Sequence, residues 1–133
     1  MLFVYLLEDH PQYFSRVQAI QRRLRERQDT ICTSVFTVGE VLAGPTKLGA
    51  TDAVAEILGA FRSPQIQLLP FSFDTSLLYA RIRASSPVPP ADAIHLASAA
   101  QTGVNLFLTN DRRLTKLVIP GIDFIAGLDV NLF

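Results

Sequence analysis

The 133-residue sequence predicts an α/β fold, with a parallel sheet and helices on both faces, and three observations point to it. Short apolar or β-branched runs, "TICTS" at 30–34, "IQLLPF" at 66–71 and "VNLFLT" at 104–109, read as buried strands. Segments with helical periodicity separate them, and such alternation is the mark of parallel strands joined by crossover helices. The densest turn signal, "SSPVPP" at 85–90, lies inside a chain long enough for one core and too short for two, so residues 1–133 are expected to form a single domain.

Taken in order, "LFVYLLEDHPQYFSRVQAIQRRLRERQ" reads as helix, with Pro11 forcing a break near His10. Phe14, Val17, Ile20 and Leu24 then make an apolar stripe opposite a polar face. After the strand "TICTS", Ser34 is placed to cap a helix "VFTVGEVLAG" that ends at Gly44-Pro45. Residues 50–62 predict a further helix, 66–71 a buried strand, and Asp74 a cap for "TSLLYARIRA". Beyond the Pro-rich loop come an Ala-rich helix "PADAIHLASAA" from Pro90, the strand at 104–109, a helical turn "DRRLTKL" and a last strand around "GIDFIAG".

Composition excludes several classes of function. Twelve basic and twelve acidic residues cancel, so no global field draws in nucleic acid or an anionic membrane, and any polyanion must be met locally. The one cysteine, Cys32, has no partner for an internal disulfide and reads as a small buried hydrophobe, which fits a reducing compartment. "MLFVYLL" runs only seven apolar residues before Glu8, with no basic region ahead of it, and no other run approaches the roughly 18 that a membrane span needs. A cytoplasmic protein without a membrane partner is the expectation.

Three carboxylates stand in otherwise uncharged surroundings. Asp92 is the only formally charged residue between Arg83 and Asp111, and Glu40 is the only one between Asp29 and Lys47. Asp111 closely follows the strand "VNLFLT", and in an open parallel sheet ligands bind beyond the carboxyl ends of the strands. A carboxylate in low dielectric needs a cation, several hydrogen bonds or a raised pKa. Hard oxygen donors without thiols suit Mg²⁺ or Mn²⁺, and that pairing suits phosphodiester hydrolysis. Each acid also has a purely structural reading. Asp92 complements the positive end of its helix, worth about 0.3–1 kcal/mol. Asp111 caps the turn after it or pairs with Arg112 or Arg113. Glu40 points to solvent from a half-exposed helix.

These residues carry a resemblance. "TSVFTVGEVLAGP", "PPADAIHLASAAQTG", "LFLTNDRRL" and, near the start, "FVYLLEDHP" resemble, in order and spacing, the PIN domain, in particular the VapC-like toxins of bacterial toxin–antitoxin pairs. The resemblance implies a three-layer α/β/α sandwich on a central parallel sheet. It also implies a Mg²⁺- or Mn²⁺-dependent endoribonuclease using four acids, with a second copy of itself and a cognate antitoxin as partners and RNA as substrate. Residue by residue, the second acid falls on Glu40, the third on Asp92 and the fourth on Asp111, as catalytic metal ligands. Thr109 and Asn110 fall on polar positions that help place water or phosphate, and Arg112 and Arg113 are the expected RNA contacts.

One departure accompanies the match. Family members begin with a strand ending in an Asp-Thr-Asn-like triplet just before the helix that reads "LFVYLLE" here, so the first strand and first aspartate are expected to be missing. Met1 is then expected to be an internal methionine taken for the start, which intact-mass measurement of the native protein checks. Glu8 and Asp9 are set aside as substitutes because they would lie about 10 Å along that helix. The alternative to an enzyme is therefore a degenerate, non-catalytic PIN domain that keeps a dimerisation or partner-binding surface. A receiver-type phosphotransfer domain would want paired acids at the first strand end and a later lysine, and neither is present. His95, three residues after Asp92, is expected to form structural hydrogen bonds and His10 to lie in a loop. The basic run Arg22, Arg23, Arg25 and Arg27 is expected to be a solvated helix face.

Overall fold

In the computed structural model, which describes residues 3–6, 14–109 and 111–127, five parallel strands form one sheet. In chain order the elements are β1 (Phe3–Leu6), α1 (Phe14–Glu26), β2 (Thr30–Ser34), α2 (Val35–Lys47), α3 (Thr51–Phe61), β3 (Ile66–Leu69), α4 (Phe73–Ser85), α5 (Pro90–Thr102), β4 (Leu106–Thr109) and β5 (Phe124–Gly127). A single 3₁₀ turn, Leu114–Lys116, lies between the last two strands. The strand order is β3-β2-β1-β4-β5. The chain therefore steps outward from β1 in one direction and then starts again on its other side. The reversal falls between β1 and β4, and a crevice at the carboxyl ends of the strands is expected there.

The largest correction concerns the start of the chain. Phe3–Leu6 is not the beginning of a helix, and the first strand is not missing: these residues are the central strand, with Val4 paired to Ile31 and Leu106, and Tyr5 to Cys32 and Phe107. Without them β2 and β4 would each leave a row of backbone groups unpaired, at about 1–3 kcal/mol for every buried one. A short apolar run supports helix and strand equally until a neighbour decides. The helical distance that set Glu8 and Asp9 aside falls with that helix. Both residues, with Met1 and His10, lie outside the described residues.

Smaller corrections follow from capping. The helix starting at Val35 does not stop at Gly44-Pro45; it runs to Lys47 and closes with the Leu48 and Ala50 amides donating to the Gly44 and Pro45 carbonyls. Proline removes one donor within the last turn, which ends no helix by itself. On α4 the cap is Ser72, not Asp74: its hydroxyl accepts the Thr75 N–H while the Thr75 hydroxyl accepts the Ser72 N–H, and Asp74 lies inside the first turn. The other predicted helices and strands are present to within a few residues, and Ile20 and Leu24 of the α1 stripe are buried as expected.

The core explains the alanines of α5. Ala93, His95, Leu96, Ala97, Ser98, Ala99 and Ala100 are all buried, because this helix is packed against α4 and also against β2 and β3. Small side chains permit that close approach, so the lack of charge along the helix reflects enclosure. Gly103, at φ 76°, ends α5 with its N–H on Ala99 and Ala100. Gly121, at φ 98°, lets the chain pass so close to α5 that a Cβ would stand 2.7 Å from the Ala100 carbonyl oxygen. Cys32 is fully buried and burial pushes its thiol up to about 12, the unreactive hydrophobe expected. No described helix is long and apolar enough to cross a membrane.

Candidate functional site

Two strand ends and one helix start place the three acids. At the end of β2 the Ser34 hydroxyl accepts the Phe36 N–H at 3.0 Å and starts α2, whose second turn carries the exposed Glu40. Pro90, with φ preset for a first turn, opens α5 and puts the half-buried Asp92 in that turn, where the helix dipole favours a negative charge. Two residues past β4, the Asp111 N–H donates to the Thr109 hydroxyl at 3.0 Å, and this turns the chain across the end of the sheet.

Each end of this arrangement is tied by one basic or imidazole side chain. His95, on α5 one turn after Asp92 and only 2 % exposed, has Nε2 2.7 Å from Glu40 Oε1, so α5 is joined to α2. Its Nδ1 lies 3.5 Å from the Thr37 hydroxyl, the Thr33 hydroxyl donates to Thr37 at 3.0 Å, and the Phe36 ring meets the imidazole edge-on at 5.6 Å. Arg113 grips Asp111: its Nε and backbone N–H donate to Oδ1 at 3.1 and 3.0 Å, and its Nη2 to Oδ2 at 2.7 Å. The hydrogen bond from this guanidinium is the main reason the Asp111 carboxyl is held below the usual carboxylate range, and Arg113 also lies in the field of Asp92. Asp92 shares a helix face with the histidine that holds Glu40.

A depressed pKa sets the sign of the pH dependence. Asp111 contributes stability above its unfolded pKa, near about 3.9, and that contribution is lost as the pH falls through its lower folded value. Arg113→Ala is expected to return the Asp111 carboxyl toward the ordinary range, read by ¹³C NMR titration. An unchanged titration curve defeats the pairing. Exposure of the Arg113 side chain (79 %) keeps the effect on global stability small.

The acids do not form a finished ligand set. Among the described residues no group of three or more His, Cys, Asp or Glu side chains is placed to hold a metal ion. Asp111 turns to Arg113 and Glu40 to His95. The expectation of one tight acidic cluster is corrected accordingly: the fold ties Glu40 to His95, on the helix of Asp92, and Asp111 to Arg113. The donor chemistry itself, carboxylate oxygens with no thiol among them, fits a hard cation.

Other expectations resolve unevenly. Thr109 is fully buried and its hydroxyl oxygen accepts the Asp111 N–H, so it shapes the turn. Asn110 lies outside the described residues. Arg112 and Arg113 are exposed beside Asp111, and Arg22, Arg23, Arg25 and Arg27 form a solvated face with Arg23 paired to Glu26. Sequence reasoning missed Thr33 and Thr37. A signal existed, since Thr37 and Glu40 are three apart on one helix and share a face.

The PIN domain family matches residues 2–119 of the chain. No curated protein matches it. Among solved structures, the DNA-bound VapBC complex of Salmonella typhimurium contains a chain that superposes with a TM-score of 0.70 at 24 % identity, over 96 % of this chain and 99 % of that one. VapBC2 of Rickettsia felis, bound to a DNA fragment from its promoter, gives 0.67 at 16 %, over 95 % and 98 %. A toxin–antitoxin complex from Klebsiella pneumoniae gives 0.55 at 18 %, over 92 % and 95 %. At these identities the likeness is one of fold.

Proposed function

Because the chain belongs to the PIN domain family, whose members are in general nucleases, we propose that it is a Mg²⁺- or Mn²⁺-dependent endoribonuclease, the toxin of a bacterial toxin–antitoxin pair. The observation that carries this reading is the tie between Glu40 and His95 of the Asp92 helix at 2.7 Å, with Asp111, gripped by Arg113, just past the carboxyl end of β4. Glu40, Asp92 and Asp111 would hold the cation. When bound, such an ion polarises a phosphodiester and lowers the pKa of an attacking water. On this reading Arg113 must release Asp111 when the ion arrives, and its freed guanidinium, with Arg112, is then in place for the RNA backbone.

The test is melting of the full chain with and without millimolar Mn²⁺, beside cleavage of single-stranded and structured RNA. Binding to the native state alone stabilises by about 2.7 kcal/mol at one hundred times Kd, so a clear rise in Tm is expected, with cleavage that EDTA abolishes. No rise and no cleavage would reject the enzyme.

That outcome would favour a second reading, a non-catalytic partner-binding domain. One observation supports it: α3, an apolar helix, has no buried residue. Such apolar surface suits a protein partner, either an antitoxin or a second copy of the chain. The two readings agree on this surface and differ at the acids.

A further inference from the structure

We propose that His95 is a positioning residue that clasps Glu40 in the orientation a divalent cation needs, and that the hydroxyls of Thr37 and Thr33 set the imidazole tautomer that does so. The purpose assigned to the clasp rests on the nuclease reading; its chemistry does not.

A buried imidazole must satisfy both ring nitrogens. The Glu40 carboxylate only accepts, so Nε2, 2.7 Å from Oε1, carries the proton. Thr33 donates to the Thr37 oxygen at 3.0 Å, which leaves the Thr37 proton free to point at Nδ1, 3.5 Å away. That direction of donation requires a lone pair on Nδ1. The chain of donors runs from β2 (Thr33) to α2 (Thr37), across to α5 (His95), and back to α2 one turn further on (Glu40). It places a ring proton on Nε2, toward Glu40, and a lone pair on Nδ1, toward Thr37.

This arrangement does something that packing alone would not. The Glu40 side chain is 43 % exposed, and a free glutamate loses rotamer freedom when it is fixed. His95 meets part of that cost before any ligand arrives, because one carboxylate oxygen is already held. Among the described residues no hydrogen bond engages the other oxygen, Oε2. His95 is itself a poor ligand, since the nitrogen facing the acids is protonated and the ring is enclosed. Partners that orient a ligating carboxylate in this way typically carry 10–100-fold in metal affinity.

The experiment measures Mn²⁺ affinity of the full chain by calorimetry. His95→Leu is expected to weaken binding about 10–100-fold. His95→Gln, whose side-chain amide can donate at the same place, is expected to recover most of it. In a Glu40→Gln background His95→Leu should have no further effect. An undiminished loss in that background, or a His95→Gln protein as weak as His95→Leu, would show a merely structural role and overturn the proposal. Should His95→Leu fail to fold, the near-isosteric Thr37→Val carries the test: affinity is expected to fall by several-fold, and an unchanged value counts against the proposal. A second readout needs no metal. ¹⁵N NMR of the imidazoles, with the His95 signal assigned from its loss in His95→Gln, should show the neutral Nε2–H form in wild type and a mixture in Thr37→Val. The opposite tautomer in wild type overturns the clasp whatever the metal result. The expected tautomer in a wild-type protein that binds no Mn²⁺ rejects instead the nuclease reading and the purpose given to the clasp.

Discussion

Asp92→Asn is expected to lower Mn²⁺-dependent RNA cleavage by at least about 10²-fold while leaving the fold in place. The substitution is nearly isosteric. It keeps a polar side chain in the first turn of α5 and removes only the charge. If Asp92 merely complemented the helix dipole, the loss would be about 0.3–1 kcal/mol of stability, with cleavage untouched. A metal ligand gives the opposite pattern: melting without metal changes little, the rise in Tm with Mn²⁺ disappears, and turnover collapses. Because Arg113 lies in the field of Asp92, loss of that charge should also loosen Arg113 slightly, without releasing it from Asp111. Wild-type cleavage by the Asn variant would remove Asp92 from the mechanism.

Phe107→Ala is expected to cost about 3–5 kcal/mol, a large part of the about 5–15 typical of a domain. Phe107 is fully buried in β4, in register with Tyr5 of β1 and Ile125 of β5, and it belongs to the core that includes Leu96, Leu114 and Ile122. A cavity of that size on an interior strand, paired on both sides, has little room to collapse, because backbone pairing holds the strands apart. The urea midpoint should fall sharply with an unchanged m value, and Tm by about 10 °C or more. A loss below about 1.5 kcal/mol would mean that the core repacks and that β4 does not hold Asp111 rigidly.

Legibility followed the local physics. Helices α1, α3 and α5 and strands β2 to β5 could be read because each carries either a 3.6-residue stripe or an apolar run bounded by turn residues. β1 could not. A central parallel strand is buried on both faces and shows no alternation, so "FVYL" carries no sign of its partner on either side. The choice of Ser72 over Asp74 as a cap likewise turned on which side chain reached Thr75.

At the site, isolation in the sequence singled out Glu40, Asp92 and Asp111, since a lone carboxylate in an apolar segment calls for a partner. Which partner each one found was a matter of tertiary structure. His95 and Glu40 are 55 residues apart, and only the packing of α5 near α2 brings them to 2.7 Å. The sequence by itself therefore determined the class of fold and the identity of the exceptional acids, because periodicity and charge are local properties. The folded chain decided the central strand, the burial of Thr109 and the pairing of Glu40 with His95 and Asp111 with Arg113. Hydrogen bonds and ion pairs depend on distance in space, and where a local pattern is silent only the assembled sheet can set that distance.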